Sequence, residues 1–282
     1  MTARCEIVNT YQVLEHVMGI SGLHPHRLST VRKMREKLVM HVTHNHMLGG
    51  GFVLDIGCGS GAGAWELAGM FGNGQRVIGI DIDKTAIEKA RQLYSNQSNL
   101  SFFHGDLPTL IEKLPEIDIT SAICISVSMF IQDVGQFYKH MHAVLHDGGM
   151  FIDAPFMFGS QTRSLPEKLR YRTYSVCGCN MKMFQSHQLK LAIRDAGFEQ
   201  VDCVEHDFDL MKLKVLFADY KLSYLMRNFV RNVISPPAHF GKISSLYLLV
   251  RTLKIFYFFL ANRRKYSSGE LVAVKSSLLM QT

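Results

Sequence analysis

The stretch Val53–Leu67, VLDIGCGSGAGAWEL, changes character twice, and everything else in the sequence can be placed from it. Phe52, Val53, Leu54 and Ile56 make an apolar run of strand type, Gly57-Cys58-Gly59-Ser60-Gly61 breaks it, and from Ala62 the apolar positions Trp65, Leu67 and Ala68 recur at helical spacing. The spacing predicts strand, glycine turn and helix. Glycines there let a ligand approach the backbone, and the free N–H groups at the helix start can hold a small anionic group. The spacing Gly57-x-Gly59-x-x-Ala62 also satisfies a dinucleotide fingerprint, with Asp81 at about the distance of a ribose-binding acid. Asp55 argues against that reading. A carboxylate inside the strand, two residues before the first glycine, costs burial energy unless a cation or hydrogen-bond donor meets it. Gly105-Asp106, directly after the apolar segment Leu100–Phe103, brings a third acid to the same sheet edge.

With these motifs the chain resembles the class I S-adenosylmethionine-dependent methyltransferases. Asp55-Ile-Gly-Cys-Gly-Ser-Gly61 is similar to their first motif, Val77-Ile-Gly-Ile-Asp81-Ile-Asp83 to the second, and His104-Gly-Asp106-Leu107 to the adenine-side loop. The resemblance covers about Gly50 to Phe208 and a closing strand near Leu271. It implies an α/β fold of Rossmann-like type, with a seven-stranded, mostly parallel sheet whose last strand is antiparallel. It also implies S-adenosylmethionine as cofactor. Asp55 would face the amino group, and Gly57, Cys58, Gly59 and Gly61 the methionine part. Asp81, with Ile82 beside it, would take the ribose, and Asp106 the adenine amino group with Leu107 against the ring. Asp106 also reads as a plain loop acid, and Asp83 as the cap of the following helix.

The chain has 282 residues, 47% of them apolar, which allows one large α/β domain with additions. The formal charge of +7 fits an acidic substrate, a membrane surface or RNA, and much of the excess lies late in the chain, ending in Arg263-Arg264-Lys265. Six cysteines lack the spacing of a disulfide framework, and Met1–Ile20 lacks the pattern of a secretion signal, so a cytoplasmic setting is expected. Ile243–Ala261 comes nearest to a transmembrane segment, but Arg251 and Lys254 interrupt it. His41, His44 and His46 have no nearby carboxylate or cysteine and read as a solvated helix end, so no metal is expected.

Working outward gives four regions. Residues 1–48 read as two helices, Glu6–Ile20 and His26–His46, which either form a lid carrying Tyr11, His16 or His24 over the ligand cleft or simply pack on the sheet. Residues 49–206 are the cofactor-binding core. In it Ile117–Ile125 delivers Ser126-Val-Ser-Met-Phe130 to the methyl-transfer end, where Ser126 and Met129 are the candidates. The helix begun by Asp133 turns Val134, Phe137, Tyr138, Met141 and Leu145 to the core, with His140, His142 and His146 on its surface. After the strand Met150–Asp153, the crossover Ala154–Asn180 is long enough to suggest function and offers Phe156, Arg172 and Tyr174 as a substrate wall; the alternative is a short helix with exposed arginines. Residues 207–268 read as a helical hairpin, Leu210–Ile234 and Phe240–Asn262, rich in aromatics that must meet substrate, a second subunit, lipid or the domain itself. Residues 269–282 hold the final strand, Leu271–Lys275, and a tail.

The resemblance implies methyl transfer, and the long crossover and extra helices suggest a small-molecule acceptor, acidic or aromatic, with the attacking atom open. An oxygen acceptor would need a base, for which His16, His24, His104 and His187 are candidates. The Asn/Asp-Pro-Pro-Tyr pattern of base amino methyltransferases is missing, and there is no clear basic stripe with interleaved stacking residues, so a nucleic-acid partner is not expected. One alternative is a thiophile acceptor such as arsenite, since Leu165-Pro-Glu-Lys-Leu169 followed by Cys177-Gly-Cys179 loosely resembles that crossover. Another is a non-catalytic scaffold whose basic hairpin meets a membrane or partner.

Overall fold

The computed structural model describes residues 13, 17–19, 28–159, 181–207, 220–236 and 244–276. The elements run α1 (Leu28–His44), β1 (Phe52–Ile56), α2 (Ala62–Phe71), β2 (Arg76–Asp81), α3 (Lys84–Leu93), β3 (Leu100–His104), α4 (Leu107–Lys113) and β4 (Ile119–Ile125). They continue with α5 (Val134–Val144), β5 (Leu145–Ala154), β6 (Phe156–Phe158), α6 (Ser186–Asp195), β7 (Gln200–Asp207), α7 (Leu222–Ile234), α8 (Ser245–Asn262) and β8 (Tyr266–Val274). Strands β3, β2, β1, β4 and β5 pair in parallel in that order, and β8 pairs antiparallel with β5. The sheet has eight strands rather than seven, because β6 continues the line of β5 past Pro155 along the same side of β8. β7 lies on the other side of β8. The last strand therefore starts at Tyr266, and residues 266–268, read from sequence as part of the hairpin, belong to the sheet.

Strand periodicity divides the core between two faces. Leu54, Ile56, Ile78, Ile80, Ala122 and Phe151 point to the side covered by α4, α5 and α6, where Leu110, Phe137, Tyr138 and Ile193 pack. Val53, Val77, Ile123 and Ile152 point to the side covered by α1 and α2, against Met34, Leu38, Val42 and Leu67. Helix α1 thus packs on the sheet, while Tyr11, His16 and His24, on which the lid expectation rests, lie outside the described residues. Because Asp55 follows Val53 by two residues, it too faces α1. The first helix expected from the sequence falls mostly outside the described residues.

A third cluster covers the extension of the sheet. Leu248, Ile255 and Phe259 of α8 pack with Phe156, Phe158, Tyr266, Met129, Val13 and Val17. Phe156 sits 5.0 Å from the Tyr266 ring and 6.0 Å from Phe259, centroid to centroid. Helix α7 packs on α8 and reaches back to the N-terminal segment, where Tyr224 Oη donates to Gly19 O at 3.2 Å.

Candidate functional site: an acid-lined cavity at the sheet edge

At the carboxyl ends of β1, β2, β3 and β4 a cavity of about 710 Å³ opens, within the range of small-molecule sites. The turn after β1 forms its floor. Gly57, Gly59 and Gly61 have φ of +70°, +54° and +88°, and their surroundings differ. A Cβ on Gly57 would lie 2.1 Å from Val127 Cγ2, whereas one on Gly59 would meet nothing within 4 Å and would stand in open space over the turn. Gly61 does not line the cavity. It precedes α2, and a Cβ there would meet Phe102 Cζ at 2.6 Å, so this glycine lets α2 close on β3.

Asp55, 5% exposed, lies beneath the turn. Burial pushes its carboxyl up to about 6 against the pull of the Arg35 guanidinium, and the Asp81 charge adds to the rise. Arg35 comes from α1, ion-pairs with Glu66 of α2, and lines the cavity; its buried Nε has no hydrogen-bond partner. Gly63 makes room for it, since a Cβ there would sit 2.5 Å from Arg35 Nη2 and 2.9 Å from Asp55 Oδ2. The sequence reading missed this group. The signal was present: Arg35 stands beside Met34 in the otherwise apolar series Val31, Met34, Leu38 and Val42, all of which are buried.

Asp81 ends β2 and ties two loops: Gly59 N donates to its Oδ2 at 2.8 Å and Asp83 N to its Oδ1 at 2.8 Å. Asp83 caps α3 as expected, accepting from Thr85 N at 2.8 Å. Asp106 caps α4 through Oδ1, accepting from Thr109 N at 3.0 Å, and the Thr109 bonds hold its carboxyl below the usual range. It still borders the cavity, beside Leu107, Ile82 and Cys58. Burial next to Asp55 and Asp81 pushes the Cys58 thiol up, so it stays protonated.

Ser126 directly follows β4 with φ +60°, its N–H donating to Ala154 O at 2.9 Å, while its buried Oγ has no hydrogen-bond partner and the residue borders the cavity. Behind it Ser128 Oγ donates to Asp153 Oδ1 at 3.0 Å and Tyr138 Oη to Oδ2 at 2.6 Å. Burial pushes Asp153 up to about 6 despite these bonds.

Several sequence candidates are not brought to the cavity. Met129 is fully buried in the α8 cluster, because the 3-10 turn Ser128–Phe130 aims it under the loop. Phe156, 5% exposed, pairs with β8 and packs between aromatics. His104 is exposed and folds across the neighbouring loop, Nε2 lying 3.2 Å from Ile82 O. Gln185 caps α6, and Ser186 Oγ donates to Glu205 Oε1 at 2.6 Å. Tyr11, His16, Arg172 and Tyr174 lie outside the described residues. His140, expected on the surface, borders the cavity and pairs with Gln136 Nε2 at 2.9 Å. His142 packs edge-on against Phe198 at 5.0 Å. No group of three metal-ligating side chains occurs among the described residues.

The wall charge is lopsided: four carboxylates (Asp55, Asp81, Asp106 and Asp133) face one guanidinium, that of Arg35. With the space over Gly59 and the unpaired Ser126 hydroxyl, this wall fits a ligand with cationic groups and hydroxyls better than one with a pyrophosphate.

The sheet order with its antiparallel closing strand, and acids after β1, β2 and β3 around a glycine turn, give the α/β core the fold and site layout of the class I S-adenosylmethionine-dependent methyltransferases. Residues 53–149 match the family model described as a methyltransferase domain. The chain is 32% identical over 107 residues, 38% of each protein, to a probable S-adenosylmethionine-dependent methyltransferase of Mycolicibacterium smegmatis. It is 28% identical over 163 residues to an arsenite methyltransferase of Halobacterium salinarum, covering 57% of this chain and 40% of that one. The match spans about two fifths of the length of these relatives. Among solved structures, a methyltransferase from Thiobacillus denitrificans in complex with S-adenosyl-L-homocysteine superposes with a TM-score of 0.64 at 17% identity, covering 96% of this chain and 99% of that one, a likeness of fold.

Proposed function

We propose that this chain transfers a methyl group from S-adenosylmethionine to a small-molecule acceptor. The observation that carries the reading is the acid-lined cavity over the Gly57–Gly61 turn. When bound, the cofactor supplies an electrophilic methyl group on a sulfonium centre. The buried Asp55 would take its ammonium group and Arg35, which lines the cavity, its carboxylate. Asp81 retains lone pairs for the ribose hydroxyls beyond the two backbone bonds it accepts. Asp106 and Leu107 would border the adenine side, and the open space over Gly59 would admit the ligand, since the N–H groups of Gly57, Cys58 and Gly59 are already bonded to Ile80 O and Asp81. Positioning and the exclusion of water by Ile131, Val127 and Phe137 supply the rate advantage at the Ser126 end. The free thiols of Cys58, Cys124 and Cys203 suit a reducing, cytoplasmic setting.

The small-molecule acceptor rests on the missing nucleic-acid motif and on the size of the cavity. For a thiophile acceptor, the described cysteines offer little: burial keeps Cys58 and Cys124 protonated and pushes Cys203 up to about 11. Cys177 and Cys179 lie outside the described residues.

Calorimetric titration with S-adenosylmethionine, S-adenosylhomocysteine and NAD tests the cofactor. Binding of the sulfur nucleosides that falls at least about tenfold in Asp81→Ala is expected; binding of NAD instead, or no binding, overturns the reading. With labelled donor and a crude extract, label in small products supports the acceptor class, and label retained on RNA or protein refutes it.

A further inference from the structure

Helix α8 carries a feature that the cavity does not use. Leu246, Val250, Leu253, Tyr257 and Leu260 recur at alternating spacings of four and three, and all are exposed, Tyr257 by 75% and Leu246 by 68%. Such spacing makes one continuous stripe along the helix. Its opposite face, with Leu248, Arg251, Thr252, Ile255 and Phe259, is buried along the length of the helix. Helix α7, packed beside it, adds exposed Met226, Val230 and Ile234 at every fourth position. An apolar face of this extent on one hairpin exceeds the scattered exposed leucines of an ordinary surface.

The charge around the stripe is of one sign. From Tyr220 to Lys265 the sequence holds nine Lys and Arg residues and no Asp or Glu. Arg227, Arg231, Lys254, Arg264 and Lys265 are exposed. A second copy of this chain would set two cationic hairpins against each other without a carboxylate to pair them. An anionic lipid surface meets both demands, since its headgroups attract the cations and its acyl boundary takes up the leucines. Among the described residues α8 alone is long and apolar enough to cross a bilayer by length and composition. Its buried inner face anchors it to β6 and β8, however, so the stripe can enter a membrane only from the side.

We propose that the α7–α8 hairpin docks this protein on the surface of an anionic lipid bilayer, with α8 lying in the plane of the interface. The docking is independent of the acceptor and of the cofactor reading. An acceptor resident in the bilayer would then reach the enzyme at the membrane rather than from solution.

Sedimentation of the full chain with vesicles tests this, comparing pure phosphatidylcholine with phosphatidylcholine carrying about one quarter phosphatidylglycerol. Binding to the anionic vesicles at least about tenfold tighter than to the neutral ones, weakened by added salt, is expected. The double variant Leu253→Glu, Tyr257→Glu changes two exposed positions and should lose at least about tenfold in vesicle binding while its melting temperature and ligand titration stay unchanged. Equal partition of the native protein to both vesicle types, or none to either, overturns the proposal. So does a dimer in light scattering that the double variant splits, which would assign the stripe to a second copy.

Discussion

Replacing Asp55 by Asn should make the protein more stable at neutral pH and less able to bind its ligand. The carboxyl is buried, and its folded value of about 6 stands above the 3.8 of the unfolded chain. A group raised in this way favours the fold while it holds its proton. The contribution is fully present below 3.8, is lost as pH rises through about 6, and is flat beyond. The gap corresponds to about 3 kcal/mol of cost carried by ionised Asp55 at neutral pH. Asn has nearly the same shape and no proton to lose. The stability difference, Asp55→Asn minus native, should therefore grow by about 2 kcal/mol between pH 4.5 and pH 7.5. Asp153, whose value is also about 6, titrates in both proteins and cancels in the difference. Urea denaturation at the two pH values measures it directly. Calorimetry at pH 7.5 should show sulfur-nucleoside binding weakened by about tenfold or more, because a charged acceptor has become a neutral amide. A stability difference that does not change with pH would refute the argument, since the burial of the charge would then carry no cost.

Gly63→Ala tests Arg35 without removing it. The new Cβ would lie 2.5 Å from Arg35 Nη2 and 2.9 Å from Asp55 Oδ2, so both side chains must shift; ligand affinity should fall by about tenfold, read by titration, and an affinity equal to native would refute the role given to this pair. Ser126→Gly removes both a left-handed serine and a buried hydroxyl without a partner. Its thermal unfolding should show a gain of about 1 kcal/mol with weaker ligand binding; a loss of stability would mean the strain argument is wrong.

What could be read from the sequence was whatever the chain keeps local. Asp55, Gly57, Gly59, Asp81 and Asp106 each lie at or close to a strand end, so naming the strands was enough to gather them at one sheet edge. The same logic failed at Met129 and Phe156, which also follow strands closely. A three-residue helical turn rotates Met129 under its loop, and Phe156 resumes pairing with β8 one residue after Pro155. Neither pattern is long enough to show a period. The hairpin's inner face was legible as apolar, but its partner was not, because Tyr266 and Phe259 meet Phe156 from far along the chain. Arg35 marks the boundary between the two cases. Its place depends on α1 lying on the same side of the sheet as Asp55, a tertiary fact, yet a guanidinium inside the stripe Val31, Met34, Leu38, Val42 already demanded a buried acid, and β1 contained one. A charge on an apolar helix face and a charge inside an apolar strand are each costly alone. Burying both on one side of the sheet is cheaper when their charges attract, so Arg35, ion-paired with Glu66, also lowers the cost of Asp55.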